Sequence, residues 1–235
     1  MGNIPLRLES YAKREKPNQC WREPTCVDKS LCRLASCEFC GSLFQRWCVQ
    51  QNEKLNSRIP DLSAISIVPA ELFFEYHEAQ SVDLRKCARV IRDKIIQAKL
   101  GNRQWFGALD FSVNERVGNT RTQKLSVHAM LMTSPLTSRE RNALRDCLPS
   151  SSDVPRPLKV SEVYDLSGIA EYCAKPNFIR RVEYENAPPN VQPLKYPLGG
   201  RHLNVLRSIL SRHEQSDRIV AIGMRRVGNK MLVIT

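Results

Sequence analysis

The sequence lacks any uninterrupted apolar run of about 18 residues, the length that a membrane-spanning helix requires. Its opening stretch, MGNIPLRLESYAKREK, also lacks the apolar core of a secretory signal peptide. No internal repeat is visible along the chain. We therefore expect a soluble, cytoplasmic protein with no membrane partner, built around one substantial core with a small appended module.

Positive charge is in clear excess over negative charge. The chain has 36 Lys and Arg against 24 Asp and Glu, a net charge of +12. This excess is more than solubility needs, and it predicts a polyanionic partner, with nucleic acid as the first candidate. A basic protein whose charges only keep it soluble is the alternative that composition leaves open.

The cysteines are concentrated near the start of the chain. Of nine in total, six lie in one short segment: Cys20, Cys26, Cys32, Cys37, Cys40 and Cys48. Such clustering favours a metal site over a secreted disulfide framework. The C-x₂-C knuckle of Cys37 and Cys40, followed by Gly41, has the spacing with which two thiolates bind one tetrahedral Zn²⁺.

The second pair of zinc ligands is less defined by the spacing. We favour Cys32 together with Cys20 or Cys26. Cys48 is then either a reserve ligand or an apolar packing residue beside Trp47.

Three regions follow from composition and pattern. Residues 1–58 are charged, rich in cysteine and poor in periodic pattern, so we expect a zinc-binding module that depends on its metal to fold. Residues 59–186 carry the main domain. Residues 187–235 read as an extension made of a linker, a helix and a closing hairpin.

The middle region alternates strand and helix patterns. Strands are predicted at 62–69, 105–113, 124–132 and 158–164, and helices at 81–100, 137–147 and 165–176. The strands 105–113 and 124–132 should pair as a hairpin. This order predicts an α+β fold in which helices cover one face of a mainly antiparallel sheet and leave the other face open for a ligand.

Several polar side chains lie on one face of the predicted hairpin. Because side chains alternate along a strand, Asp110 and Ser112 share a face, as do Ser126 and His128. A carboxylate and an imidazole together can bind Mn²⁺, Mg²⁺ or Zn²⁺, although two protein ligands make a weak site. The alternative is a histidine hydrogen-bonded to an aspartate across two strands.

The predicted helix 165–176 carries Tyr172 beside its apolar stripe, with Lys175 on the same flank. Tyrosine is a poor nucleophile near neutral pH because its pKa is about 10, so a cation that stabilises the phenolate would matter. Taken alone, the pattern favours an ordinary amphipathic tyrosine.

Taken in order, these segments resemble the rolling-circle replication initiators of plasmids and phages, members of the HUH endonuclease superfamily. The resemblance lies in "AISIV", the helix 81–100, "GALDFS", "LSVHAML" and "GIAEYCAK", and spans about residues 62–180. Similar cysteine knuckles precede the catalytic domain in some members. The resemblance implies an HUH/RRM-like sheet and an enzyme that nicks and rejoins single-stranded or hairpin origin DNA.

The resemblance also implies residue roles. Tyr172 would attack the phosphodiester and become joined to the 5′ phosphate, while Lys175 assists the developing charge. His128 and Asp110, with Ser126, would bind Mg²⁺ or Mn²⁺ at the scissile phosphate. The expected DNA contacts are the basic residues Arg103, Arg116, Arg121, Lys124, Arg180 and Arg181. A host helicase is a further candidate partner.

One position departs from the family pattern. Ser126 stands where the family has its first histidine, and a hydroxyl is a much weaker ligand than imidazole. None of the other histidines, His77, His202 and His213, has a spacing that obviously replaces it. Nicking is then expected to be slow, dependent on a hard ion such as Mg²⁺, or lost.

Two other functions remain open from the sequence. A DNA-binding accessory or repressor protein on the same scaffold would hold DNA without cutting it. An RNA-binding module would use a related sheet, but it would place aromatic residues on the open face, where this sequence has Ser, Asp and His.

Overall fold

A curled mixed sheet lies at the centre of the fold. The computed structural model describes residues 32–59, 61–174, 178–185, 192–227 and 230–233. The helices are α1 (Glu38–Asn56), α2 (Leu84–Gln97), α3 (Ser138–Asp146), α4 (Leu166–Cys173) and α5 (Gly200–Leu210). The strands are β1 (Ser63–Ile67), β2 (Phe73–Glu75), β3 (Trp105–Val117), β4 (Arg121–Thr133), β5 (Leu158–Glu162), β6 (Ile179–Tyr184), β7 (Leu194–Pro197), β8 (Ile219–Ile222), β9 (Met224–Val227) and β10 (Lys230–Val233).

The sheet is organised around the hairpin of β3 and β4. Its strand order is β5-β1-β4-β3-β6-β7, with β2 also paired to β4 and β8 also paired to β3. The hairpin register runs from Phe106 opposite Met132 to Val117 opposite Arg121. The pairing of β3 with β6 is parallel, and the other pairs are antiparallel. The predicted α+β class and the predicted hairpin are confirmed.

One face of the sheet is covered by α2, α3 and α5. The apolar side of α2 is buried there through Leu84, Cys87, Ala88, Ile91 and Ile95. These residues pack against the alternate residues of β3 and β4 that include Leu109, Phe111 and Val127. The helical spacing of the α2 stripe and the two-residue spacing of the strands meet in one core, as the sequence predicts.

The opposite face is also covered, and this corrects the expectation of helices on one face only. Phe44, Cys48 and Leu55 of α1 pack with Ala170 and Ala174 of α4. The same cluster includes the sheet residues Phe106, Ala108 and Met132. These three residues are apolar on the supposedly open side of the strands, so burying them under a second helical layer removes apolar area from water.

Helix α1 was not expected from the sequence. Its buried residues recur at helical spacing: Cys40, Gly41, Phe44, Cys48, Gln51, Asn52 and Leu55. The stripe is hard to recognise because Gln51 and Asn52 interrupt it with polar groups. The sequence of this segment is poor in recognisable periodic pattern, yet Glu38–Asn56 form a helix.

The last part of the chain supplies strands to the central sheet. β7 lies within the predicted linker and pairs with β6, which the sequence pattern also missed. β8 pairs with the first residues of β3, from Trp105 to Ala108. β9 and β10 form the predicted closing hairpin as a separate two-stranded sheet. Among the described residues, no helix combines the length and apolar character needed to span a membrane.

Candidate functional site

Asp110 and His128 face each other at the middle of the central hairpin. They are direct partners in the β3–β4 register. The Nε2 atom of His128 lies 3.2 Å from Oδ2 of Asp110. The other carboxylate oxygen of Asp110 accepts a hydrogen bond from the backbone N–H of Phe111 at 2.8 Å. The two side chains thus lie together where strand alternation places them.

The two serines continue this row along the hairpin. Ser112 and Ser126 are also direct partners in the register, two positions nearer the hairpin turn. All four side chains are buried: Asp110 is 1% exposed, Ser112 and Ser126 are 2% exposed, and His128 is 6% exposed. The expectation of an open ligand face is therefore wrong at these positions, and α1 and α4 pack on the same side of the sheet.

One ring nitrogen of the His128 imidazole makes no hydrogen bond. Its Nδ1 is buried and has no hydrogen-bond partner, which costs about 1–3 kcal/mol unless a ligand or water satisfies it. The 3.2 Å separation from Asp110 suits a hydrogen-bonded pair, and it also suits two ligands of one ion at about 2.1 Å each.

A metal at this pair would need further oxygen ligands. Within the described part of the chain, no third His, Cys, Asp or Glu joins Asp110 and His128 in a ligand cluster. The hydroxyl of Ser126, on the same face, is a weak donor. One carboxylate, one imidazole and one hydroxyl form a weak donor set, and an ion held by them would have to complete its shell with water or phosphate oxygens.

Helix α4 carries the predicted nucleophile, Tyr172. The side chain of Asp165 begins the helix by accepting a hydrogen bond from the backbone N–H of Gly168 at 3.0 Å. Ala170 and Ala174 face the sheet, and the tyrosine projects from another side of the helix with 39% of its surface exposed. Lys175 lies outside the described residues.

Three of the predicted zinc ligands come together. The sulfur atoms of Cys32, Cys37 and Cys40 all lie within 4.8 Å of one another. The Cys32 and Cys40 sulfurs are 3.6 Å apart, close to the separation of about 3.8 Å between thiolates on one tetrahedral ion with Zn–S bonds of about 2.3 Å. This group could hold a metal ion. Cys20 and Cys26 lie outside the described residues.

Backbone hydrogen bonds fix the cysteine group to the rest of the fold. The N–H of Ala35 donates to the carbonyl oxygen of His213, and the N–H of Gln215 donates to that of Arg33, both at 2.8 Å. Cys37 then precedes the first residue of α1. Cys48 lies further along this helix in the apolar cluster with Phe44, which matches the packing role considered for it.

The six predicted DNA contacts divide into three environments. Arg103 serves the fold: its guanidinium binds the carboxylate of Glu140 at 2.7 and 2.8 Å and the carbonyl oxygens of Ser134 and Pro135. This bidentate pair joins the turn before β3 to the start of α3. The guanidinium is thus engaged within the protein.

Three of the basic residues share the sheet face of His128. Arg116, Lys124 and Arg181 lie on this face by register. Arg116 is half-exposed, 3.6 Å from Glu183. Lys124 contacts Asp153 at 2.8 Å and Glu75 at 3.1 Å.

Neighbouring carboxylates offset much of the positive charge of these three residues. The hydrogen bond to Asp153 raises the pKa of Lys124 above its usual value, against the effect of burial, and Glu75 raises it further. The Nε of Arg181 is buried without a hydrogen-bond partner. The remaining two residues, Arg121 and Arg180, lie on the opposite face around Glu115.

Arg218 is a buried cation that the sequence did not single out. It is 1% exposed, and burial lowers the pKa of its guanidinium while the negative charge of Asp110 raises it. Its guanidinium lies 5.3 Å from the ring centre of Phe44 and 5.5 Å from that of Phe178. No local pattern marks it, since Leu109, Phe44 and Phe178, which it contacts, come from distant segments.

The chain matches no protein-family model, no curated protein and no solved structure. A functional conclusion therefore has to come from the chemistry of the sites.

Proposed function

We propose that this protein nicks and rejoins single-stranded or hairpin DNA at a replication origin, in the manner of the HUH initiators that its sequence resembles. The Asp110–His128 pair carries the proposal. The two groups are 3.2 Å apart on the central hairpin, and His128 Nδ1 is buried without a hydrogen-bond partner. Helix α4, with Tyr172, packs on this same side of the sheet.

In the proposed reaction, the phenolic oxygen of Tyr172 forms a bond to phosphorus and the bond from phosphorus to the 3′ oxygen breaks. The tyrosine loses its proton and the departing 3′ oxygen gains one, so the products are a 5′-phosphotyrosine and a free 3′ hydroxyl. The reverse attack by that hydroxyl reseals the strand and releases the tyrosine. Lys175, three residues further along, would favour the phenolate.

Asp110 and His128 are the residues that would hold Mg²⁺ or Mn²⁺, with Ser126 as a weak third donor. When bound, such an ion polarises a phosphate oxygen and offsets the charge that develops in the transition state. The protein residues would fix the position of the phosphate relative to Tyr172 and exclude bulk water. Because the pair is buried, DNA has to open this face before a phosphate can reach it.

For the cysteine group, Zn²⁺ is the proposed ion. The S–S separation of 3.6 Å and the all-thiolate donor set favour it over Mg²⁺ or Mn²⁺. Cys20 or Cys26 would supply the fourth ligand. The role proposed for this ion is to stabilise the start of α1.

The test is a covalent-adduct assay. Hairpin-forming and unstructured oligonucleotides, labelled at the 3′ end so that the 5′-phosphate fragment carries the label, are incubated with the protein and Mn²⁺ or Mg²⁺ and run on denaturing gels. We expect a metal-dependent adduct that Tyr172→Phe abolishes with DNA affinity nearly unchanged. Tyr164→Phe is the matched control, because Tyr164 is an exposed tyrosine at the far edge of the sheet. An adduct that survives Tyr172→Phe would exclude this nucleophile.

A DNA-binding protein that does not cut is the second candidate. The burial of Asp110 and His128 favours it, as does the hydroxyl of Ser126 where the family has imidazole. The same assay separates the two functions. Tight binding without an adduct, with either metal and on every oligonucleotide tested, supports the accessory or repressor role.

A further inference from the structure

A second site lies on the other side of the sheet from His128, at the outer end of the central hairpin. It is a cleft of about 200 Å³ lined by Glu115, Val117, Arg121, Arg180, Val182, Tyr184 and Tyr196. By strand register these residues share the face of Leu109 and Phe111. We call it the hairpin cleft.

A buried carboxylate holds the two arginines of the hairpin cleft in place. The side chain of Glu115 is 3% exposed, and its oxygens lie 2.5 Å from Arg121 Nε and 3.6 Å from Arg180 Nη1. The side chain of Arg121 remains 52% exposed and that of Arg180 remains 30% exposed. One carboxylate facing two guanidinium groups leaves a net positive, preorganised and accessible surface.

Aromatic rings stand beside these charges. Tyr196 is 39% exposed and Tyr184 is 49% exposed, so both rings are accessible from solvent. The guanidinium carbon of Arg180 lies 5.1 Å from the ring centre of Tyr196. Planar rings and guanidinium groups are the surfaces on which unpaired nucleobases stack.

The hairpin cleft continues into a second cleft through Arg121, which lines both. The second cleft, of about 370 Å³, also includes Tyr76, Gln123 and Arg201. His202, next to Arg201, is buried with its Nε2 lacking a hydrogen-bond partner, and its ring centre is 5.2 Å from that of Tyr76. The two clefts thus form one path lined by three arginines and three tyrosines, together with the carboxylates of Glu75 and Glu115.

We propose that this path binds unpaired nucleotides of a DNA strand, with bases stacked on Tyr184 and Tyr196 and phosphates bound by Arg121, Arg180 and Arg201. Cations and aromatic rings on one surface suit the phosphates and unpaired bases of a single strand. In a duplex the bases are already stacked and paired, so their faces are not available. The inference deepens the proposed function and rests on it for the identity of the strand as DNA.

The experiment is fluorescence anisotropy with labelled oligo(dT), on a Tyr172→Phe background so that cutting plays no part. Tyr196→Ala should weaken binding about tenfold, and Tyr196→Phe, which keeps the ring, should bind like the parent. Tyr164→Ala, at the opposite edge of the sheet, is the matched control. Thermal unfolding of each variant checks that the fold is retained.

Charge is tested in the same way. Arg121→Gln should weaken binding and reduce the slope of log K against log salt concentration by about one phosphate contact. Arg89→Gln, an exposed arginine on α2, is the control for a general loss of charge. A duplex with the same sequence as the probe should compete poorly.

Three results would overturn the inference: unchanged affinity in Tyr196→Ala, equal competition by duplex, or competition by dTMP as strong as by oligo(dT). Tighter binding of RNA with the matching sequence would indicate that the path binds RNA and would overturn the DNA assignment. The outcome is independent of the adduct assay. The path can bind DNA even if the protein forms no covalent adduct. Tyr172 can likewise form an adduct even if substitutions in the path leave DNA affinity unchanged.

Discussion

The guanidinium of Arg218 lies 3.2 Å, through Nη2, from the carbonyl oxygen of Leu109, at the point where one edge of β3 has no neighbouring strand. β8 pairs with β3 as far as Ala108, and β6 begins opposite Ser112. A side chain therefore satisfies a backbone carbonyl that a strand would otherwise satisfy. This carbonyl directly precedes Asp110, so Arg218 positions the strand that carries the proposed metal site.

Replacing this arginine should destabilise the whole protein. Arg218→Met removes the donors to Leu109 and leaves a buried carbonyl unsatisfied, and we expect a loss of about 2–4 kcal/mol in the free energy of unfolding. Urea denaturation measures it. Arg89→Gln, on an exposed surface, should stay within about 0.5 kcal/mol of wild type. Wild-type stability in Arg218→Met would show that the contact contributes little.

The cysteine group should carry one metal ion. Elemental analysis of the purified protein is expected to find one Zn²⁺ per chain, lost in Cys37→Ser and after treatment with a chelator. Cys147→Ser changes a half-buried thiol outside the group and should retain the metal. An equal metal content in the two variants would place the ion elsewhere.

A substitution at Ser126 should test the weakest part of the proposed site. Ser126→His restores an imidazole donor beside His128, so metal-dependent adduct formation should rise by tenfold or more, whereas Ser126→Ala should change it little. The position is 2% exposed, so thermal unfolding has to accompany the assay to detect overpacking. A folded Ser126→His protein with no gain in activity would argue that this face does not bind the catalytic metal.

The free energy of unfolding should decrease as the pH is lowered, because His202 titrates differently in the folded and unfolded chains. Burial lowers the pKa of this imidazole below 6.5, and the charges of Arg180 and Arg201 lower it further, although Glu115 opposes them. The other neighbours are the cation of Arg121 and the ring of Tyr76.

The sign follows from proton binding. As the pH falls below 6.5, the unfolded chain takes up a proton that the folded chain does not, so stability is full above 6.5 and declines below it. Urea denaturation at about pH 7.5 and about pH 5.5 should show this decline in wild type and a smaller one in His202→Gln. His77→Gln, at an exposed histidine, is the control. Identical pH profiles in all three proteins would contradict the prediction.

The local patterns predicted much of the framework. Period-two alternation placed Asp110 and His128 on one face, and the structure brings them within 3.2 Å. The helical stripe of α2 predicted its buried side correctly. The C-x₂-C spacing identified Cys37 and Cys40, which lie together with Cys32. Each of these features depends on neighbours a few residues apart or on a single turn.

Other features could not be predicted because they depend on distant segments. Burial of the Asp110–His128 face involves α1 and α4, whose contact joins residues more than a hundred positions apart, as in the bond from Gln45 Nε2 to the carbonyl oxygen of Glu171. The residues that line the hairpin cleft come from β3, β4, β6 and β7, which are neighbours only in the folded sheet.

The sequence by itself determined which side of each strand and helix is apolar, since this follows from the residue spacing along one element. The tertiary structure decided which elements cover each face of the sheet. It also decided that Arg218 donates to the Leu109 carbonyl where β3 has no neighbouring strand, and which arginines form ion pairs with Glu115. The reason is physical: burial and long-range pairing are set by the summed packing free energy of segments far apart in the chain, which no local pattern records.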